Sequence, residues 1–217
     1  MDIINKLNNM EPSFKFIRVR DVQVPTRANA GDAGIDFYVP KDLTVNDLIK
    51  CNTNTYIGNW NKVSKNKINI LSGEVYGFID YDTDPEMEYP ENYIDYIIIG
   101  PHTTCVIPSG IRGILEPEAS MLQANDKSGV SSKKKIKVTA SIIDSPYTGE
   151  IHHVVFNTTN EPVRIDLGEK LVQYIHIPIY LTQPEEIKDS EFMELKTKKE
   201  LESGRGEAGM GSGKETL

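Results

Sequence analysis

Residues 142–156 read Ile-Ile-Asp-Ser-Pro-Tyr-Thr-Gly-Glu-Ile-His-His-Val-Val-Phe. The flanks are rich in β-branched residues, the signature of strands. Between them lie Asp144, Pro146 and Gly149, three residues that favour turns for three different reasons. The stretch predicts a hairpin with a carboxylate and an aromatic ring at its tip. Turn aspartates usually only shape the chain. Here Asp144 is also a candidate general base, beside a ring, Tyr147, that can pack on a ligand.

Outward from this segment the chain continues in the same manner. Further strand-like runs are Phe14–Val19, Ile35–Val39, Ile94–Ile99, Cys105–Ile107, Ile111–Leu115, Lys135–Thr139, Val163–Ile165 and Leu171–Ile179. Gly, Pro, Asn or Asp separates most of them. Short helices are expected only near Pro117–Gln123 and Lys41–Ile49. Many short strands with turns between them predict an all-β, jelly-roll-like domain rather than a βαβ sheet.

Three segments stand apart. Residues 40–100 hold an Asn-rich stretch, then an acidic, Tyr-rich one, and read as an insertion into a smaller domain that spans 1–202. Residues 183–202 are charged and weakly patterned, like a linker. Residues 203–217, SGRGEAGMGSGKETL, form a Gly-rich tail expected to be flexible.

The 217 residues are enough for one domain with a substantial core. The net charge of −8 disfavours a broad electrostatic grip on nucleic acid. No apolar run approaches the ~18 residues of a membrane span. The N-terminus lacks the basic and apolar parts of a secretory signal. Two cysteines, Cys51 and Cys105, fit a reducing, cytoplasmic setting and no zinc spacing. His152 and His153 are neighbours on a predicted strand and point to opposite faces, which argues against a histidine metal site. Trp60 reads as a packing anchor, and Lys133–Lys135 as a solvated turn.

Further candidates lie along the chain. Lys127, Ser128 and Gly129 combine a cation, a hydroxyl and a bare backbone, which suits a phosphate. The glycines of the tail, interleaved with Arg205 and Ser212, suit one too. No GxxxxGK[ST] loop is present. AGIDF (33–37) and GEKLVQ (168–173) are weak signals alone.

In order, AGIDF, KSGVS, IIDSPYTGE, GEKLVQ and RGEAGMGSG resemble the five motifs of the trimeric dUTPases. The likeness runs from about residue 14 to 213, with 40–100 unmatched. Viral and phage members vary most in length, so a phage source fits this chain. The resemblance implies a homotrimer whose sites draw on all three chains, the tail of one closing over a cleft between the others. It implies dUTP as substrate and Mg2+ on the triphosphate. Asp144 matches the catalytic aspartate, and Tyr147 the ring that packs on the deoxyribose. The backbone between Lys137 and Asp144 would read the uracil edge. Lys127, Ser128, Gly129 and Gln173 match phosphate-side positions. Arg205, Met210, Gly211 and Ser212 match the closing tail, and Asp36 the aspartate near the metal's water shell.

Four departures stand out. Lys127 replaces a usual Arg and so loses the bidentate fork. Ser141 replaces a Gly, Thr148 a basic residue, and Met210 a stacking aromatic. Two other readings share the frame. One is a deaminase of dCTP. The other is a regulatory protein that binds a partner through 40–100, whose tyrosines suit an interface.

Overall fold

A computed structural model describes residues 11–52, 62–64, 67–68, 75–78, 94 and 96–203. The strands in chain order are β1 (Ser13–Arg18), β2 (Ile35–Tyr38), β3 (Lys62–Ser64), β4 (Lys67–Ile68), β5 (Val75–Phe78), β6 (Tyr96–Ile99), β7 (Thr104–Glu116), β8 (Ser120–Asp126), β9 (Ile136–Val138), β10 (Ile142–Asp144), β11 (Glu150–Asn157), β12 (Val163–Asp166) and β13 (Lys170–Pro178). The helices are α1 (Val45–Cys51), α2 (Ser128–Lys134) and α3 (Asp189–Ser203).

All named pairings are antiparallel. One four-stranded sheet runs β1-β7-β11-β9 and another β10-β8-β13-β2; β12-β6-β5 and the pair β3-β4 complete the set. The architecture is the jelly-roll-like β fold that the strand pattern predicts. Inward residues of both larger sheets share one core, including Phe37, Ile107, Leu122, Val155, Val172 and Tyr174. Their burial is the main stabilising term, at ~1.5–3 kcal/mol for each large aliphatic side chain.

Several expectations change. Pro117–Gln123 is not helical: residues from Ser120 on form β8, whose side chains alternate between buried and half-buried. Pairing with β10 on one side and β13 on the other overrides a helix-friendly composition. The two runs around Pro108–Gly110 are one strand, β7, within which Gly110 adopts φ 72°. A Cβ there would meet Val22 Cγ1 at 2.8 Å, so the position also needs a bare backbone. The segment 183–202 is not a featureless linker, because α3 occupies most of it. Its acidic first turn, Asp189 and Glu191, suits the helix dipole.

The predicted hairpin at 142–156 is a corner instead. β10 and β11 lie in different sheets, and so do β9 and β10. The Lys133–Lys135 run closes α2, with Lys135 in the left-handed region and Lys134 Nζ on Glu169. The stretch 40–100 joins the core at both ends, through Leu43 and Leu48 and through Ile94, Ile97 and Ile99. Trp60, Tyr81, Tyr89 and Tyr93 lie outside the described residues.

Cys51 and Cys105 are free thiols, and burial pushes the Cys105 thiol up to about 12. No helix among the described residues is long and apolar enough to cross a membrane. The chain divides into two compact units, 1–180 and 181–217.

Candidate active site

β2 and β13 are neighbours, with Asp36 opposite Gln173. The Asp36 side chain is 4% exposed, yet it carries two cations. Lys127 Nζ lies 2.8 Å from Oδ1, and Lys170 Nζ 2.9 Å from Oδ2. Burial opposes ionisation of Asp36, but hydrogen bonds and charge from Lys127 and Lys170 outweigh it. They hold the carboxyl below its usual range.

The Gln173 amide nitrogen donates to the Asp126 carbonyl at 2.7 Å. Its other end explains Gly34, since a Cβ at position 34 would collide with that amide. Ser128 and Gly129 are exposed at the start of α2, next to Lys127. The first, second and fourth sequence motifs thus meet at one end of one sheet. Lys170, quoted within GEKLVQ but given no role from the sequence, belongs to the same cluster.

Asp144 and Tyr147 sit elsewhere. Asp144 ends β10, the opposite edge strand of that sheet. Three strand spacings separate the edges, ~14 Å. Asp144 pairs with Met121 of β8, whereas Gln173 pairs with Asn125. Those four residues of offset add ~13 Å along the strand. The two halves of the candidate site therefore lie roughly 20 Å apart within one chain.

The corner that carries Asp144 and Tyr147 is pinned to its surroundings. The Tyr147 N–H donates to the Asp144 carbonyl at 3.0 Å and closes the turn. Ser145 Oγ donates to the Leu115 carbonyl at 3.2 Å, and Arg112 Nε to the Thr148 carbonyl at 3.0 Å. The Tyr147 hydroxyl donates to the Glu150 carbonyl at 2.8 Å, while the residue as a whole stays 45% exposed. Gly149 leaves room for that phenol, which a Cβ would meet at 2.5 Å. The Asp144 carboxylate faces solvent with no side-chain partner among the described residues. It can accept a proton; the ring offers a flat apolar face.

Both Asp36 carboxylate oxygens face ammonium groups in a buried setting, so any relation to a metal would be indirect, through water, as the sequence implies. No group of three or more His, Cys, Asp or Glu side chains able to hold a cation occurs among the described residues. His153 is buried and pairs with the Tyr174 hydroxyl at 3.1 Å; burial lowers its pKa to about 4. Arg205, Met210, Gly211 and Ser212 lie outside the described residues.

The dUTPase family model matches residues 93–212. A deoxyuridine 5'-triphosphate nucleotidohydrolase of Hydrogenobaculum sp. is 30% identical over 118 residues, 54% of this chain and 78% of that one. Its counterpart from Fusobacterium nucleatum is 26% identical over 151 residues, 68% of this chain and 99% of that one. Among solved structures, the Staphylococcus bacteriophage 80alpha dUTPase with dUPNHPP superposes with a TM-score of 0.57 at 16% identity, covering 93% of this chain and 98% of that one. A mutant dUTPase from phage phi11 of S. aureus, described with a structural Mg(II) ion, gives 0.52 at 14% identity, covering 82% and 97%. At these identities the two structural likenesses speak for the fold.

Proposed function

The chain belongs to the dUTPase family, and we propose that it hydrolyses dUTP to dUMP and pyrophosphate. The observation that carries the mechanism is the Asp144–Tyr147 corner, a solvent-facing carboxylate and an exposed ring on one turn that several hydrogen bonds pin. Asp144 orients a water and takes its proton as the water oxygen bonds to the α-phosphorus. The bond from that phosphorus to the bridging oxygen of the β-phosphate breaks, and pyrophosphate leaves with the electron pair. Such chemistry asks mainly for positioning and charge neutralisation. Tyr147 lies against the deoxyribose, where a 2′-hydroxyl would collide.

The cluster at Asp36 supplies the anion side. Lys127 and Lys170 bring two positive charges around one buried negative charge, which leaves a net attraction for phosphate. Ser128, Gly129 and Gln173 line the same end. The roughly 20 Å between the cluster and the corner supports a site completed by a second copy of the chain. We assign the tail, through Arg205, Met210, Gly211 and Ser212, to a further copy's site in a homotrimer, where it closes and excludes water. Mg2+ arrives on the triphosphate as part of the substrate and neutralises its oxygens. No protein-held metal enters the steps above.

Pyrophosphate release from dUTP, UTP, dTTP and dCTP, with and without magnesium, tests the proposal. Turnover confined to dUTP, dependent on magnesium and without ammonia, is the expected result. Ammonia from dCTP would favour a deaminase, and no turnover of dUTP would end the reading.

A further inference from the structure

Glu150 begins β11 just after the corner, where the pairing of β11 with β7 shifts register between Glu150 and His152. At such a bulge the ladder alone does not fix the backbone. The Glu150 side chain takes over: Oε1 accepts the Gly110 N–H at 2.8 Å. Arg20 Nε donates to the same oxygen at 2.8 Å and its Nη2 reaches Oε2 at 3.4 Å. Arg20 Nη2 also lies 3.2 Å from Asp47 Oδ1.

Asp47 is itself held in the first turn of α1. Its Oδ2 accepts from the Thr44 N–H at 3.0 Å and the Thr44 hydroxyl at 2.7 Å, while its own N–H donates to Thr44 Oγ1 at 3.2 Å. This is a reciprocal capping arrangement. The side chains of Arg20, Asp47 and Glu150 are 19%, 16% and 18% exposed, so solvent screens them little. Only Glu150 falls within residues 93–212, the part matched by the family model.

The Tyr147 hydroxyl closes the chain of contacts, because its acceptor is the Glu150 backbone carbonyl. From these contacts we propose that Arg20 is a positioning residue for Tyr147, acting through Glu150, and that Asp47 ties the arrangement to α1. Arg20 touches no reacting atom. Its fork holds Glu150, Glu150 holds the far end of the corner, and the carbonyl of Glu150 holds the phenol. Asp144 shares the turn's Tyr147 N–H bond but has a second anchor of its own, the pairing of β10 with β8. The consequence is selective: loss of Arg20 loosens the ring more than the base. The inference rests on the proposed role of Tyr147 against deoxyribose.

The experiment compares kcat/KM for dUTP and UTP with magnesium in the full chain, together with melting temperature. Arg20→Met should shrink the dUTP/UTP ratio by roughly ten- to a hundredfold, the scale of misplacing a positioning group, with a smaller fall in kcat for dUTP. Arg20→Lys, with one ammonium in place of the fork, should restore part of the ratio. Asp47→Asn should act in the same direction but more weakly, and should add nothing in the Arg20→Met background. A folded Arg20→Met variant with an unchanged ratio overturns the inference.

If Arg20→Met does not fold, Glu150→Gln and Asp47→Asn decide. The amide of Glu150→Gln still accepts from the Gly110 N–H but breaks the ion pair. An unchanged ratio in both variants overturns the inference, while a reduced one supports it. An unaltered chain that leaves dUTP intact overturns the proposed function and this inference with it. Turnover by the unaltered chain with unmoved ratios overturns the role of Arg20 alone.

Discussion

Asp36→Asn removes the one negative charge between two lysines. The structure gives contacts at 2.8 Å to Lys127 and 2.9 Å to Lys170. A hydrogen bond to a charged group contributes ~1.5–3 kcal/mol. The Lys127 side chain is 25% exposed, so its contact keeps most of that value. Lys170 is 39% exposed, and solvent reduces its share toward the ~0–1 kcal/mol of a surface pair. An amide oxygen at position 36 still accepts one bond, which offsets part of the loss. The expected destabilisation at pH 7 is about 2–3 kcal/mol, or roughly 4–12 °C in melting temperature for a chain of this size.

The pH dependence gives a second reading of the same contact. The folded-state pKa of Asp36 lies below its ordinary value, so the stabilisation is fully present above about pH 4. As pH falls through the lowered value, the folded protein binds this proton and the stabilisation disappears. Urea unfolding of both proteins at fixed protomer concentration, from pH 7 downward, measures it. The gap between them should be constant near neutrality and close in acid. A variant as stable as the parent at pH 7, or a gap that stays open in acid, would refute the assignment of Asp36 as an ionised anchor for two lysines.

Asp144→Asn should lower turnover by ~10²–10⁴-fold with little change in melting temperature, since the side chain is exposed; steady-state pyrophosphate release checks this. Truncation after Glu202 should leave the oligomeric state and melting temperature unchanged but remove most turnover, read by light scattering and kinetics. His153 stays neutral in the folded protein down to about pH 4, whereas the unfolded chain gains its proton near 6.5. Stability should therefore fall between those values, by no more than roughly 3 kcal/mol, and His153→Gln should flatten the slope in pH-dependent unfolding.

Within the sequence, the fold class rests on local chemistry. Alternating β-branched runs and turn residues act over a few positions and need no distant partner to be recognised. The order of the motifs, with Asp144 and Tyr147 in one short segment, is legible for the same reason. Tertiary structure decides what depends on pairing. Helix-friendly residues from Ser120 to Ala124 become strand β8 because β10 and β13 each supply a ladder, and that energy exceeds a propensity difference of tenths of a kcal/mol. The apparent hairpin becomes a corner because β10 and β11 find their partners in different sheets. Lys170 joins Asp36 and Lys127, and Arg20 reaches both Asp47 and Glu150, across separations that no local pattern encodes. Only the folded chain shows that Asp36 and Asp144 lie on opposite edge strands of one sheet, because strand order, unlike strand identity, is set by contacts between segments remote in sequence.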